Sequence, residues 1–199
     1  LARLFDAVGV HNPKPSTMLA LTSDHGEEFW EHGGFEHGHH LLGELTRVPT
    51  ILAGAGIAER GRRKNVVEHV DLSVTIAAIA DLKFARTPGV DLRTTRNDDP
   101  GWAMSENTLY GAPMVSLVDQ HHRLVIDQEQ RLAWLWSVDE NGVETGPLKD
   151  NDDAISTALM NELIRRRGSV DRLIQASGLH LTSVEAFQQL KSLGYIGEE

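Results

Sequence analysis

Apolar residues run in short blocks along this chain, and each block stops at polar or glycine-rich punctuation. Residues 17–22 and 48–53 are near-continuous apolar runs of strand length. The first is closed by Ser23-Asp24 and the second by Gly54 and Gly56. Strands covered on both faces read this way. The two are therefore expected to lie parallel, adjacent or nearly so, with residues 23–46 folded across their ends. Residues 66–70 form a third short strand. Asp71 then serves as the N-cap of a helix reaching residue 82, apolar over more than one face. Upstream, Leu1, Leu4, Phe5 and Val8 share one helical face, with Gly9 as a stop. No cap precedes them and the first residue is not Met. Residues 1–10 thus read as the remnant of a helix in a C-terminal fragment, with any leader lying upstream.

Residues 85–101, rich in Arg, Asp, Thr and Pro, mark a boundary that divides 1–95 from 96–199. Beyond it, residues 114–118, 123–126 and 132–138 read as strands. In the last, Leu132, Trp134, Trp136 and Val138 alternate with Ala133, Leu135 and Ser137. Turns at 128–130 and 139–142 join these into a small antiparallel sheet. Ile155, Leu159 and Leu163, with Met160 and Ile164, trace an amphipathic helix that begins near Asp153 and is expected to stop at Gly168. Residues 170–176 add a further turn or two. Thr182 and Glu185 form a capping box for a last helix ending at Gly194. The predicted class is α/β: the end portion of a doubly wound sheet, followed by a small antiparallel sheet and helices.

Composition narrows the functions. At 199 residues the chain can bury one good core with a small appended subdomain. A net charge of −10 argues against nucleic acid as a partner. The short basic run from Arg60 to Lys64 reads as a solvated turn. No apolar run approaches the ~20 residues that span a membrane. With no cysteine there is no disulfide framework, thiolate metal site or cysteine nucleophile within these residues.

The chemistry concentrates after the first strand. His25, His32, His37, His39 and His40 fall within sixteen positions, interleaved with Glu27, Glu28, Glu31 and Glu36 and preceded by Asp24. Such a stretch is either a solvated polar loop or a divalent-metal site beside an anion pocket. Asp24 and His25 sit where ligands bind in open α/β sheets, at a strand's carboxyl end, and Gly26 lets the chain turn away. A carboxylate and an imidazole suit Zn, Mn or Ca, and at least two further donors are needed to complete a sphere. Glu27 and Glu28 are candidates to orient His25. Arg47 is expected to pair with Glu44, and His32 and His40 to shape the loop. His11, His69, His121, His122 and His180 have no motif around them.

Three segments carry a resemblance, in family order: Thr22-Ser23-Asp24-His25-Gly26-Glu27, the loop with His37-Gly38-His39, and Glu44-Leu45-Thr46-Arg47-Val48-Pro49. Together they resemble the sulfatase branch of the alkaline phosphatase superfamily. Val70-Asp71-Leu72-Ser73-Val74-Thr75 resembles the family's VDLxPT helix start. Residues 190–197 resemble its LxSLGYxG ending. Leu135-Trp136-Ser137-Val138 departs from the usual LYDL and lacks the Asp-Pro that follows it.

The resemblance implies an alkaline-phosphatase-like sheet and a metal-dependent sulfuric ester hydrolase. It makes Asp24 and His25 metal ligands. His37 would contact the transferred group or protonate the leaving oxygen, and His39 is a second catalytic candidate. The remaining ligands and a formylglycine nucleophile are expected in an N-terminal half, so the isolated chain is expected to be inactive. The implied partner is a sulfated or phosphorylated small molecule or glycan, in the periplasm or outside the cell. The alternatives are a phosphodiester or phosphonate hydrolase or a phosphoethanolamine transferase of the same superfamily, and a non-catalytic metal-binding fragment.

Overall fold

Two strands of four residues each, β1 (Met18–Leu21) and β4 (Ile51–Gly54), carry the site loop between them. The computed structural model describes residues 3, 6, 16–84, 87–96, 99, 101–148 and 153–177. Most of the expected N-terminal helix, the terminal capping box and helix, and the 190–197 motif lie outside these.

The expected parallel pairing is overturned: β1 and β4 are antiparallel, with Met18 opposite Gly54 and Leu21 opposite Ile51. The reason lies in the link. A parallel return needs a crossover of a dozen or more residues that runs back along the strand. Here the link stays at one end. Its beginning and end are joined by the Gly26 N–H donating to the Leu45 carbonyl at 2.8 Å. Its regular parts are the two-residue strands β2 (Glu28–Phe29) and β3 (Phe35–Glu36), paired as a hairpin, and a four-residue helix α1 (Gly43–Thr46). None of these is long enough to traverse the sheet. The two apolar runs are also less covered than their composition suggests, with Ala20 and Ile51 exposed.

The third strand is absent as well. His69 and Val70 belong to helix α2 (His69–Ile79), whose N-cap is Glu68 rather than Asp71. Asp71 sits three positions on and reaches back, its Oδ2 accepting the Glu68 N–H at 2.9 Å. Thr75, fully buried, donates to the Asp71 carbonyl and accepts the Leu92 N–H, which ties the segment after the helix to its face.

The second sheet is a five-stranded antiparallel meander: β5 (Ala103–Glu106), β6 (Met114–Val118), β7 (His122–Asp127), β8 (Leu132–Val138) and β9 (Glu144–Thr145), in that order. Residue alternation sorts its faces. Val115, Leu117, Leu124 and Leu135 pack with Leu159 and Leu163 of helix α3 (Asp153–Ser177) into one buried cluster. Ser116, Arg123 and Trp136 alternate with these, and each contacts Arg123 or the site loop. Helix α3 continues through Gly168 to Ser177, contrary to the expected stop. One glycine costs a helix only about 1 kcal/mol, too little to end one of this length. Among the described residues no helix is long and apolar enough to cross a membrane.

Candidate active site

Asp24 and His25 follow β1 directly. The Asp24 Oδ1 accepts the His25 N–H at 3.0 Å, and its Oδ2 lies 3.8 Å from His25 Nε2. That N–H, first among the causes, holds the Asp24 carboxyl below its ordinary range, so the group is an anion near neutral pH. The other ring nitrogen of His25, Nδ1, is 2.8 Å from the Gly26 carbonyl, which accepts its proton. Nε2 is then left with a lone pair on the side of the carboxylate. A ligating histidine is usually tied through its second nitrogen in this way. The pair fits a divalent ion: an ionised carboxylate oxygen and an imidazole lone pair a few ångströms apart, both partly exposed.

His37 is brought to the same place. Its ring stacks on that of His25, with centroids 4.1 Å apart and planes 28° from parallel. Its Nδ1 lies 3.1 Å from Glu27 Oε1, which accepts the proton and leaves Nε2 available. Asp24, His25 and His37 therefore form one open group, with Glu27 behind it.

His39 takes a different partner. Its Nε2 is 2.6 Å from Glu28 Oε2, and His40 Nε2 reaches the same oxygen at 2.9 Å. The other oxygen of Glu28 accepts the backbone N–H groups of His32 at 2.8 Å and Gly34 at 2.9 Å. Glu28 is fully buried. Burial favours its neutral form, but the donors from His39, Gly34, His32 and His40 outweigh it and bring its pKa down to about 2. A second carboxylate, Glu44, completes the network at 2.6 Å from His32 Nδ1 and 3.3 Å from His40 Nε2.

Glu28, His32, His40 and Glu44 offer four ligand atoms within 4.8 Å of one another. Proton placement explains their closeness without an ion. The Leu42 N–H donates to His40 Nδ1 at 3.3 Å, so the ring's proton sits on Nε2, where it meets Glu28 and Glu44. The expected Arg47–Glu44 pair is not formed. Glu44 faces the histidines, while Arg47 donates to the Asn141 carbonyl.

A protein-family model described as Sulfatase matches residues 1–82. Residues 1–82 of this chain are thus similar to sulfatases. The uncharacterised sulfatase YidJ of Escherichia coli K12 is 33% identical over 73 residues, covering 35% of this chain and 14% of that protein. Among solved structures, BT4656 in complex with its substrate D-glucosamine-2-N,6-O-disulfate aligns with a TM-score of 0.70 at 18% identity, over 86% of this chain and 38% of that one. A putative sulfatase from Bacteroides thetaiotaomicron aligns with a TM-score of 0.55 at 20% identity, over 81% and 37%. Ps i-CgsB in complex with k-i-k-neocarrahexaose gives 0.60 at 17% identity, over 82% and 39%. The alkaline-phosphatase-like α/β fold is thus shown. The chain spans well under half the length of these relatives.

The end of β1 thus brings together three of the four residues singled out in the sequence, Asp24, His25 and His37. His39 is the exception. Two supporting residues were not legible: Glu28 as the buried hub, and Glu44 as its partner. The available signal was compositional, since Glu27 and Glu28 are the carboxylates nearest the Asp24-His25-Gly26 turn. Nothing in their spacing distinguishes the one that faces His37 from the one that turns inward. His69 also has a partner, its Nε2 lying 3.2 Å from Thr22 Oγ1.

Proposed function

We propose that this chain is the C-terminal part of a metal-dependent sulfuric ester hydrolase acting on a sulfated glycan in the periplasm or outside the cell. In this reading, 1–95 complete the catalytic domain and 96–199 form a subdomain. The observation that carries it is the convergence of Asp24, His25 and His37, each with its rear atoms tied down and a front atom open. Asp24 and His25 supply two donors to a divalent ion, Ca, Mn or Zn, which when bound would neutralise charge developing on the ester oxygens. The formylglycine nucleophile is assigned to polypeptide outside these 199 residues.

His37 is the residue that faces the ester. With Nδ1–H held by Glu27, its Nε2 points at the open side and can hydrogen-bond an ester oxygen. In the protonated ring, Nε2 can also hand a proton to the departing alcohol oxygen. His39 shapes the loop through Glu28 rather than touching substrate. The sulfated-sugar reading draws support from BT4656, whose structure holds a disulfated glucosamine as its substrate.

The test is elemental analysis beside kinetics in the complete polypeptide. Asp24→Ala and His25→Ala should lower metal content and sulfate-ester turnover together. His37→Ala should keep the metal and lower turnover by about 10²-fold or more, the scale of a lost general acid. Loss of metal in the His37 variant would make it a ligand instead. Turnover of phosphodiesters in preference to sulfate esters would move the reading to the sister activity.

A further inference from the structure

We propose that Arg123 and Glu144, on the meander, are positioning residues for the candidate site: they hold the backbone of residues 41–43 and, through it, the histidine run before it. The inference builds on the reading of that loop as the active site, though its first test is independent of it.

Arg123 leaves β7 on the face opposite the Leu124 core, and both it and Glu144 of β9 have side chains only 4% exposed. Their ion pair is short, with Nε 2.6 Å from Glu144 Oε1. What marks it out is where the remaining atoms go. Arg123 Nη1 donates to the Leu41 carbonyl at 3.0 Å and to Ser116 Oγ at 2.7 Å. Glu144 Oε2 accepts the Gly43 N–H at 3.0 Å. A carbonyl and an amide two residues apart are thus gripped by opposite ends of one buried pair. A Cβ at position 43 would stand 3.0 Å from Glu144 Oε1, so the carboxylate would have to give way by a few tenths of an ångström.

The grip continues upstream. Between the two held groups, the Leu42 N–H bonds His40 Nδ1, and His40 together with His39 engages Glu28. Trp136, which lies opposite Arg123 in the β7–β8 register, meets the His32 ring edge-on at 5.1 Å. A buried ion pair is a poor device for stability alone, since apolar replacements of similar volume are often neutral or better. Apolar side chains cannot donate to Leu41 or accept from Gly43, and that is the function assigned to the pair.

The experiment follows from this contrast. The double variant Arg123→Met, Glu144→Leu is made in the complete polypeptide, and amide hydrogen exchange is read residue by residue. Gly43 should exchange about tenfold faster, the scale of one lost hydrogen bond, with amides 39–42 also faster. Leu124 and Leu135 should stay within about twofold of the parent. Unchanged Gly43 exchange in a folded variant overturns the proposal. If protection is lost everywhere, Glu144→Gln, which keeps the volume but offers one acceptor in place of two, is read in the same way and decides it. In the complete polypeptide the double variant should lose about tenfold in kcat, with KM and metal content little changed. Undiminished kcat would overturn the positioning role. Absence of sulfatase turnover in the parent would strike the functional reading, and the exchange result would still decide whether the pair holds the loop.

Discussion

Replacing Glu28 by Gln tests the interior of the site loop without changing its volume. The carboxylate accepts four hydrogen bonds, two at each oxygen, from the His32 and Gly34 amides and the His39 and His40 rings. A glutamine keeps one acceptor oxygen. If that oxygen serves the two amides, the new NH2 group confronts two ring N–H donors. His39 can answer by moving its proton to the other nitrogen, but His40 cannot easily, because its Nδ1 already accepts the Leu42 N–H. At least one charge-assisted bond is lost and one buried donor is left opposed. Each such loss is worth about 1.5–3 kcal/mol, so the expected destabilisation is about 3 kcal/mol. For a chain of this size that corresponds to a Tm lower by about 6–12 °C.

The pH dependence sharpens the test. The folded pKa of Glu28 lies below its ordinary value of 4.5, at about 2. Its contribution is therefore complete above 4.5 and is lost as the pH falls from there towards 2. The variant has no such group, so the gap between parent and variant should narrow over that window. Urea unfolding followed by tryptophan fluorescence, at pH 7 and at steps down to the acid limit of folding, measures both. A difference at pH 7 below about 0.5 kcal/mol would refute the reasoning. A gap that stays constant below pH 4.5 would show that the four donors do not act on this carboxylate.

Gly26→Ala should disable the site by steric means: a Cβ there collides with the Glu44 carbonyl, backbone against backbone, and forces apart the Gly26–Leu45 bond that closes the loop. The expected cost is about 3 kcal/mol, read by the same denaturant assay, and a near-neutral result would mean that the closure is dispensable. Leu117→Ala, at a fully buried position under helix α3, should cost about 2–5 kcal/mol in that assay without altering the metal binding proposed for Asp24 and His25.

How much of this could be read from residues differs by element, for physical reasons. The three central strands of the meander, β6 to β8, were legible nearly to the residue, since period-two alternation around Leu135 and the polar turns at 128–130 and 139–142 are local signals, whereas the edge strands β5 and β9 were not read. Strands β1 and β4 were legible in place but not in direction. An apolar run says that a strand is covered, not which way its neighbour points, and the Gly26–Leu45 bond that settles the matter joins residues nineteen positions apart. The start of α2 was misplaced because Val66, Val67 and Val70 suggest a strand, while Glu68 and Asp71 cap a helix in the same span. In the candidate site, Asp24, His25 and His37 were marked by a motif. The partners of His32, His39 and His40 were not, because five similar imidazoles choose among several carboxylates only once the hairpin has folded.

The antiparallel pairing of β1 with β4 carries a consequence for how such a site can change over time. Because the strands run opposite ways, residues 23–47 leave and re-enter at one end, as a closed excursion sealed near its base. Residues can be added to or removed from the middle of that excursion without shifting which side of the ribbon any strand residue presents. Doubling the length of a flexible loop costs only about 0.6 kcal/mol in closure entropy. The register of β1 with β4 is thereby uncoupled from the length of the excursion. Length changes at the exposed tip of the hairpin, around Gly33, leave Asp24 and His25 at the same strand end.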